Sequence, residues 1–475
     1  MQLNYKELDF KCGLEIHQQL ETHKLFCKCP SITNTGKVDY TIKRKLRASA
    51  GELGKVDVAA LYEEQKDKTF IYEVNKDTAC LVELDESPPE ELNKEALKVA
   101  LQIALLTSAK VIDEIQVMRK VVVDGSNVSG FQRTALIAVD GTIQTSKGPV
   151  KIPTICLEEE AAKKIKRDEK SVTYNLDRLG IPLIEIATDS NIKDPEHAKE
   201  VAGLIGMILR STEKAKRGLG SVRQDVNVSI KGHPRVELKG FQDLKGIPKT
   251  VENEIKRQSE NLKHKKEIKS EVRKVEPDFS SSFLRPMPTG SRLYPETDIP
   301  PVKITKKLLA EIKIPELITE RTVNIEKKYS LNSVLAREIL KQNIPFDYYA
   351  EKYSINPNLI AEILIEIPKE LKTRFNIDSK KISGKDFEFV LENLENKSIN
   401  REAVKDILLD IAQGKHIDLN KYKQEDNKEI ETKLKEIIVK NKGASFSALM
   451  GEAMKEFKNK VPGKQISELL NKLLK

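Results

Sequence analysis

The chain has 475 residues, 39% of them hydrophobic and 33% charged, with a formal net charge of +9. That length holds two or three domains with cores of their own, and no apolar run reaches the roughly 18 residues a membrane span needs. The first residues, MQLNYKELDFKCGLEIH, lack the apolar stretch of a secretory leader. A cytoplasmic location and no membrane partner are therefore expected, and the excess of Lys and Arg suits an anionic partner such as RNA.

The first three hundred or so residues carry short segments of strict alternation, in which side chains two apart share a face of a strand. In GLEIHQQL, Leu14 and Ile16 share one face, Glu15 and His17 the other. LFCKCP follows. Its Cys27 and Cys29, with Cys80, would supply three of the four ligands of a structural zinc. The five cysteines show no paired spacing, so reduced thiols rather than a disulfide framework are expected. TICLEEEAAKK sets Glu158, Glu159 and Glu160 side by side, which calls for positive charge among them. Continued alternation puts Glu158 and Glu160 on one face and Glu159 on the other.

In PLIEIAT, Glu185 points away from Ile184 and Ile186. In SVRQDVNVSI, Val222, Gln224, Val226, Val228 and Ile230 oppose Arg223, Asp225, Asn227 and Ser229. In RVELKGF, Val236 and Leu238 oppose Arg235, Glu237 and Lys239. Apolar-in, polar-out strands favour an antiparallel or curved sheet, because parallel sheets bury both faces. Here the polar faces offer carboxylates, an imidazole, guanidinium groups and amides. Such groups suit a magnesium ion, which prefers oxygen ligands and bridges nucleotide phosphates, with Arg and Lys cancelling the remaining phosphate charge. No GxxxxGK[ST], strand-linked GxGxxG or GxSxG occurs, which disfavours a P-loop, a dinucleotide fold or a serine hydrolase elbow.

Prolines in YPETDIPPVKI mark the main boundary, giving a first domain over 1–305. Beyond it the period is helical. NPNLIAEILIEI and DFEFVLENLENK read as short packed helices of a domain over 306–400, and Gly414 as a helix stop. Over 401–475, FSALMGEAMKEFKNK and KQISELLNKLLK have the apolar stripes of a small bundle with Lys-rich outer faces.

Read together and in order, GLEIHQQLETHKLFCKCP, MRKVVVDGSNVSGFQRT, CLEEEAAKK, YNLDRLGIPLIEIAT, GSVRQDVNVSI, RVELKGF and FLRPMPTGSRLYPETDIPP resemble the B/E subunit family of tRNA-dependent amidotransferases. DGSNVSGFQRT and RPMPTGSRLYPETD favour the archaeal E branch over the bacterial-type B. The resemblance spans nearly the whole chain. It implies an α+β fold: an antiparallel-sheet cradle related to glutamine synthetase, then a helical domain and a C-terminal helical bundle that contacts tRNA. It implies that ATP phosphorylates the side chain of glutamate misattached to tRNA(Gln), and that ammonia then displaces the phosphate. Ammonia is expected from a separate glutaminase, an asparaginase-like D subunit; no glutaminase nucleophile is apparent in this chain.

By motif, Glu15, His17, Glu158, Glu159 and Glu185 match the metal-binding and kinase positions, with ATP and Mg2+ as cofactors. Arg223, Asp225, Glu237 and Lys239 lie in motifs that line the cradle. Two departures stand out. The E branch usually carries an inserted domain resembling part of aspartyl-tRNA synthetase, whereas here only SENLKHKKEIK separates Gln258 from SEVRK, and Glu160 replaces a more usual Asp. Action on Asp-tRNA(Asn), ligation of a small free acid and a non-catalytic RNA scaffold stay open as alternatives. The enzymatic reading requires His17, Glu185 and the triplet at 158–160 to converge on one concavity.

Overall fold

In the computed structural model, residues 4–474 are described apart from 34, 52–53, 242, 265–267, 289–292, 343, 379–380, 420–421, 423–426, 458–460 and 462. Parts of RPMPTGSRLYPETD and of the segment after Gln258 therefore lie outside the described residues. The chain forms two compact units, Met1–Leu317 and Ile318–Lys475. Among the described residues no helix is long and apolar enough to cross a membrane.

Among the described residues the first unit is built on seventeen strands. They are β1 (Lys11–Gln19), β2 (Tyr40–Arg44), β3 (Thr69–Val74), β4 (Lys110–Val111), β5 (Glu114–Ile115), β6 (Val117–Val121), β7 (Phe131–Ile143), β8 (Val150–Glu159) and β9 (Lys163–Arg167), followed by β10 (Ser171–Asn175), β11 (Pro182–Ala187), β12 (Val222–Ser229), β13 (Val236–Lys239), β14 (Glu271–Val275), β15 (Ser281–Pro286), β16 (Leu293–Pro295) and β17 (Val302–Lys303). The main sheet runs β15-β14-β13-β12-β1-β11-β8-β7-β6-β16, with β4 on β7. Its pairs are antiparallel except β13 with β14. A second sheet, β2-β3-β10-β9, carries a small aromatic core that includes Phe70, Tyr72 and Tyr174.

One face of the main sheet is apolar. Leu14, Ile16, Ile155, Leu157, Ile184, Ile186, Val226, Val228 and Leu238 all lie in the main core. Helix α1 (Val58–Glu64) belongs to a separate small cluster through Ala60, and against the main face pack α2 (Lys94–Leu106), α3 (Pro195–Ser211) and α4 (Gly246–Lys263). The helix starts are chemically specified. Asn93 accepts from the backbone N–H groups of Glu95 and Ala96 to cap α2, and Asp194 accepts from His197 N to cap α3, with Pro195 in its first turn. Alternation then sends the intervening polar residues of β1, β8, β11, β12 and β13 to the uncovered face. Val222 is an exception to its expected place in the core: it is 41% exposed, because it starts β12 at the rim of the sheet, where it lines the cavity described below.

The break between the units lies after Leu317, so the helix Lys306–Glu311 stays with the first unit, and its Leu308 and Leu309 pack on the main core. In the second unit, Gly384–Glu395 and Arg401–Ala412 share one core with the preceding helices. Gly414, at φ +72°, follows the second of these helices, a backbone conformation a side chain would strain. A separate small core joins the helices Asn427–Lys440, Phe446–Glu456 and Gly463–Leu473 through Leu434, Leu449, Phe457, Ile466 and Leu470.

Candidate active site

Strand register brings the expected residues together. Across β11, β1 and β12, Glu185 pairs with His17 and His17 with Arg223; one step along, Glu15 pairs with Asp225. Residues directly opposite on one face sit about 5 Å apart at Cβ, so the register alone concentrates charge. His17 Nε2 lies 3.3 Å from Glu185 Oε2 and 3.4 Å from Glu15 Oε1. Lys239 Nζ lies 2.5 Å from both Asp225 Oδ2 and Glu237 Oε1. All these side chains except Glu237 line one open cavity of about 790 Å³, with Glu158 and Glu160 in its wall. Glu15, Asp225 and Glu237 nevertheless bring a carboxylate oxygen each within 4.8 Å of the others.

The three adjacent glutamates are separated by the strand, and each has its own cation. Glu158 Oε1 lies 2.5 Å from Lys120 Nζ and accepts from Thr134 Oγ1 at 2.6 Å, while its other oxygen accepts from Gln132 at 3.1 Å. Glu160, fully buried, lies 2.9 Å from the Arg223 guanidinium and accepts from Gln19 at 3.0 Å. Glu159 turns to the opposite face. There Arg133 NH1 lies 3.3 Å from it and Arg133 Nε 2.7 Å from Glu296 Oε2. The structure thus does not bring Glu159 into the cluster with Glu15, His17 and Glu185.

Burial and like charge set the protonation of this face. Burial, then the neighbouring Glu185 charge, pushes the Glu15 carboxyl up to about 7. Burial pulls the His17 imidazole down, but the hydrogen bond to Glu185 and the surrounding carboxylates outweigh it and raise it. Glu185 goes the other way: despite burial, the His17 hydrogen bond and the Lys120 charge hold it well below the usual carboxylate range. Burial also works against the Lys239 ammonium, and Asp225, Glu237 and Glu15 more than offset it. Protons and ammonium groups therefore balance the crowded carboxylates.

Glu15, His17 and Glu185 present ligand atoms within 4.8 Å of one another, as do Glu15, Asp225 and Glu237. The second set is all oxygen, the donor type magnesium prefers. Several residues escaped the sequence reading. Lys120 and Gln132 reach the site from β6 and β7, whose motifs, MRKVVVDG and GFQRT, were visible without their facing partners. Asn127, 2% exposed, lines the cavity with an Nδ2 that has no partner among the described residues. A third set lies apart from the cavity: Cys27, Cys29, Cys80 and Glu83 bring their ligand atoms within 4.8 Å. Glu83, which no cysteine spacing announces, accepts from Cys27 Sγ at 2.9 Å and from Cys80 N at 2.8 Å, and is 3.8 Å from the fully buried Lys24.

Fold and site together define a class: an α+β cradle whose uncovered sheet face gathers carboxylates, an imidazole and ammonium groups around one solvent-open cavity. Residues 10–310 match the GatB/GatE catalytic domain and residues 345–474 the GatB domain. The chain belongs to the GatB/GatE family. It is similar to the E subunit of the glutamyl-tRNA(Gln) amidotransferase of Methanocaldococcus jannaschii, 35% identical with both chains covered in full. The proteins of the same name from Methanosarcina barkeri and Archaeoglobus fulgidus are each 34% identical over at least 98% of either chain. The first alignment runs over 634 positions against 475 residues here, so at least 159 positions have no residue in this chain, in keeping with the short segment after Gln258.

Proposed function

We propose that this chain is the synthetase component of a glutamyl-tRNA(Gln) amidotransferase. It uses ATP to activate the side-chain carboxylate of glutamate carried on tRNA(Gln) and replaces the activating group with ammonia. The observation that carries this reading is the cavity in which Glu15, His17, Glu158, Glu185, Asp225, Lys120 and Lys239 converge, in a chain whose full length aligns with subunits of that name.

A carboxylate resists attack by ammonia until one oxygen becomes part of a leaving group. The substrate carboxylate oxygen attacks the γ-phosphorus of ATP, the bond to the β–γ bridging oxygen breaks, and ADP leaves. Ammonia then forms a bond to the acyl carbon, the bond from that carbon to the phosphate oxygen breaks, and the departing phosphate takes the proton the nitrogen sheds. Glu15, His17 and Glu185, with Asp225 and Glu237 beside them, would hold Mg2+, which when bound supplies positive charge to phosphate oxygens. Lys120 Nζ holds Glu158 in place and lends charge to the developing acyl phosphate. Arg223 and Lys239 bind phosphate oxygens from the β12–β13 side. The walls of β6–β8 orient the substrate carboxylate, so that the acyl phosphate forms away from bulk water.

Ammonia would come from a partner glutaminase of the asparaginase-like D type. The test is to supply the purified chain with Glu-tRNA(Gln), ATP and magnesium. Ammonium salts should yield Gln-tRNA(Gln) without any partner, and glutamine should not. Amidation from glutamine by this chain alone would overturn the assignment of the ammonia source.

A further inference from the structure

A second pocket, of about 280 Å³, adjoins the catalytic cavity, and Glu63, Asp124 and Arg285 line both. Its floor is aromatic. Phe70 on β3 and Tyr174 on β10 lie with ring centroids 6.3 Å apart, and Tyr174 donates to the Asp124 carbonyl at 2.8 Å. The loop after Asp124 is seated on this floor: a Cβ on Gly125, at φ +87°, would lie 2.1 Å from the Phe70 ring. Half-buried Tyr62 forms part of the wall.

Around the aromatic floor the charge is positive. Lys164 Nζ stands 5.7 Å from the Tyr174 ring centroid. Arg167 lies three residues further along the same exposed edge strand, β9, whose sequence is KKIKR. Arg285 sits at the junction with the cavity. Lysines on an edge strand discourage strand addition, and that accounts for charge on β9. It does not account for a concave pocket that joins those charges to an aromatic surface and opens into the catalytic cavity.

Phe70 and Tyr174 are themselves buried, so half-buried Tyr62, with Lys66 Nζ 4.2 Å from its ring centroid, offers the accessible ring. Cations beside such rings are how proteins hold unpaired nucleotides, with the phosphate on the cation and the base on the ring. We propose that this pocket holds the single-stranded 3′ end of the RNA whose esterified amino acid lies in the cavity. Lys164 and Arg167 contact its phosphates and Tyr62 stacks a base, which makes these positioning residues. This rests on the amidotransferase reading above, which supplies an RNA ester as the substrate.

The test is a thermodynamic cycle on the full-length chain: K164E/R167E and Y62A, each measured against tRNA(Gln) with and without its unpaired 3′ terminal nucleotides. Wild type should lose about tenfold in affinity when the 3′ end is removed. The variants should bind intact tRNA about tenfold more weakly than wild type and lose nothing further on truncation. The charge variant should flatten the log–log salt slope by about 1.4, the value for two contacts to a single strand. K164R/R167K should bind like wild type. In amidation, the KM for Glu-tRNA(Gln) should rise in the variants while kcat and the KM for ATP hold.

Independent, additive losses from variant and truncation would overturn the proposal. So would a raised KM for ATP with unchanged tRNA affinity, which would give the phosphates to the nucleotide instead. Failure of wild type to amidate Glu-tRNA(Gln) would remove the amidotransferase reading, while the binding cycle would still decide the pocket.

Discussion

Lys120 Nζ lies 2.5 Å from Glu158 Oε1, with the lysine side chain 16% exposed and the glutamate 3%. The pair faces Glu185, whose Oε2 is 3.8 Å from the same nitrogen. One ammonium thus stands between two carboxylates at the cavity wall, the position proposed above to meet the transferring phosphoryl group. Lys120→Ala should lower kcat about 100-fold or more, as loss of a preorganised charge does, with the KM for Glu-tRNA(Gln) changed less than about threefold. A fall in kcat/KM arising wholly from KM would show that Lys120 serves binding alone.

Glu15→Gln and Glu185→Gln should each abolish ADP formation that depends on Glu-tRNA(Gln), because either change removes a carboxylate from the set proposed to hold magnesium. Affinity for tRNA, measured by gel shift, should stay within about twofold, since neither residue lies at the surfaces assigned to RNA. Equal loss of both properties would point to a folding role.

The protonation of Glu15 and His17 predicts a pH dependence. Glu15 in the folded protein releases its proton near 7, against 4.5 when unperturbed, and His17 is also raised. In both cases the folded state holds the extra proton. Their contribution to stability is therefore full at low pH and is lost as pH rises through the folded values. Glu185 is lowered, and its contribution is lost only as pH falls through the acid range. Cation binding must displace the protons on Glu15 and His17. The gain in Tm on adding magnesium should consequently grow between about pH 6 and pH 8. A gain that is flat over this range would remove Glu15 and His17 from the ligand set.

The thiol cluster predicts metal of a different kind. Three sulfurs and the Glu83 carboxylate suit a tetrahedral zinc, and elemental analysis of the purified chain should find about one zinc. Chelation, or Cys27→Ser with Cys80→Ser, should lower Tm by several degrees while the cavity residues keep their function. Full stability with no metal present would return these cysteines to plain reduced thiols.

Removal of residues 427–475 takes away the small core of Leu434, Leu449, Phe457, Ile466 and Leu470 and leaves the preceding helical core whole. We expect tRNA affinity and its salt dependence to fall, with ATP binding unchanged. Unchanged affinity for tRNA would contradict a tRNA-contacting role for this tail.

Much of this was legible because strand alternation is a strict code. Leu14, Ile16, Ile184, Ile186, Val226 and Val228 are buried, and their alternates Glu15, His17, Glu185 and Asp225 line the cavity. The same rule separated Glu159 from Glu158. What alternation cannot supply is the partner across the sheet. Lys120 and Arg133 were unremarkable cations until the register of β6 with β7 and β7 with β8 set them beside Glu158 and Glu159. Glu83 was hidden for a related reason: its three cysteine neighbours include two from a segment more than fifty residues away, and only the fold joins them. Prolines punctuate the sequence just before the expected end of the first domain at 305, whereas packing runs further: Leu308, Leu309 and Leu317 lie on the sheet core, and the compact unit extends to Leu317.

The cavity is proposed to activate a carboxylate carried on RNA. The most direct measurement of this follows labelled γ-phosphate in the presence of Glu-tRNA(Gln), deacylated tRNA(Gln) or free glutamate, with ammonium added afterwards. ADP and an acyl phosphate should form only with Glu-tRNA(Gln), and ammonium should chase the acyl phosphate to Gln-tRNA(Gln) and free phosphate. ATP consumption that proceeds equally with free glutamate, or Gln-tRNA(Gln) formed without ATP, would contradict that role.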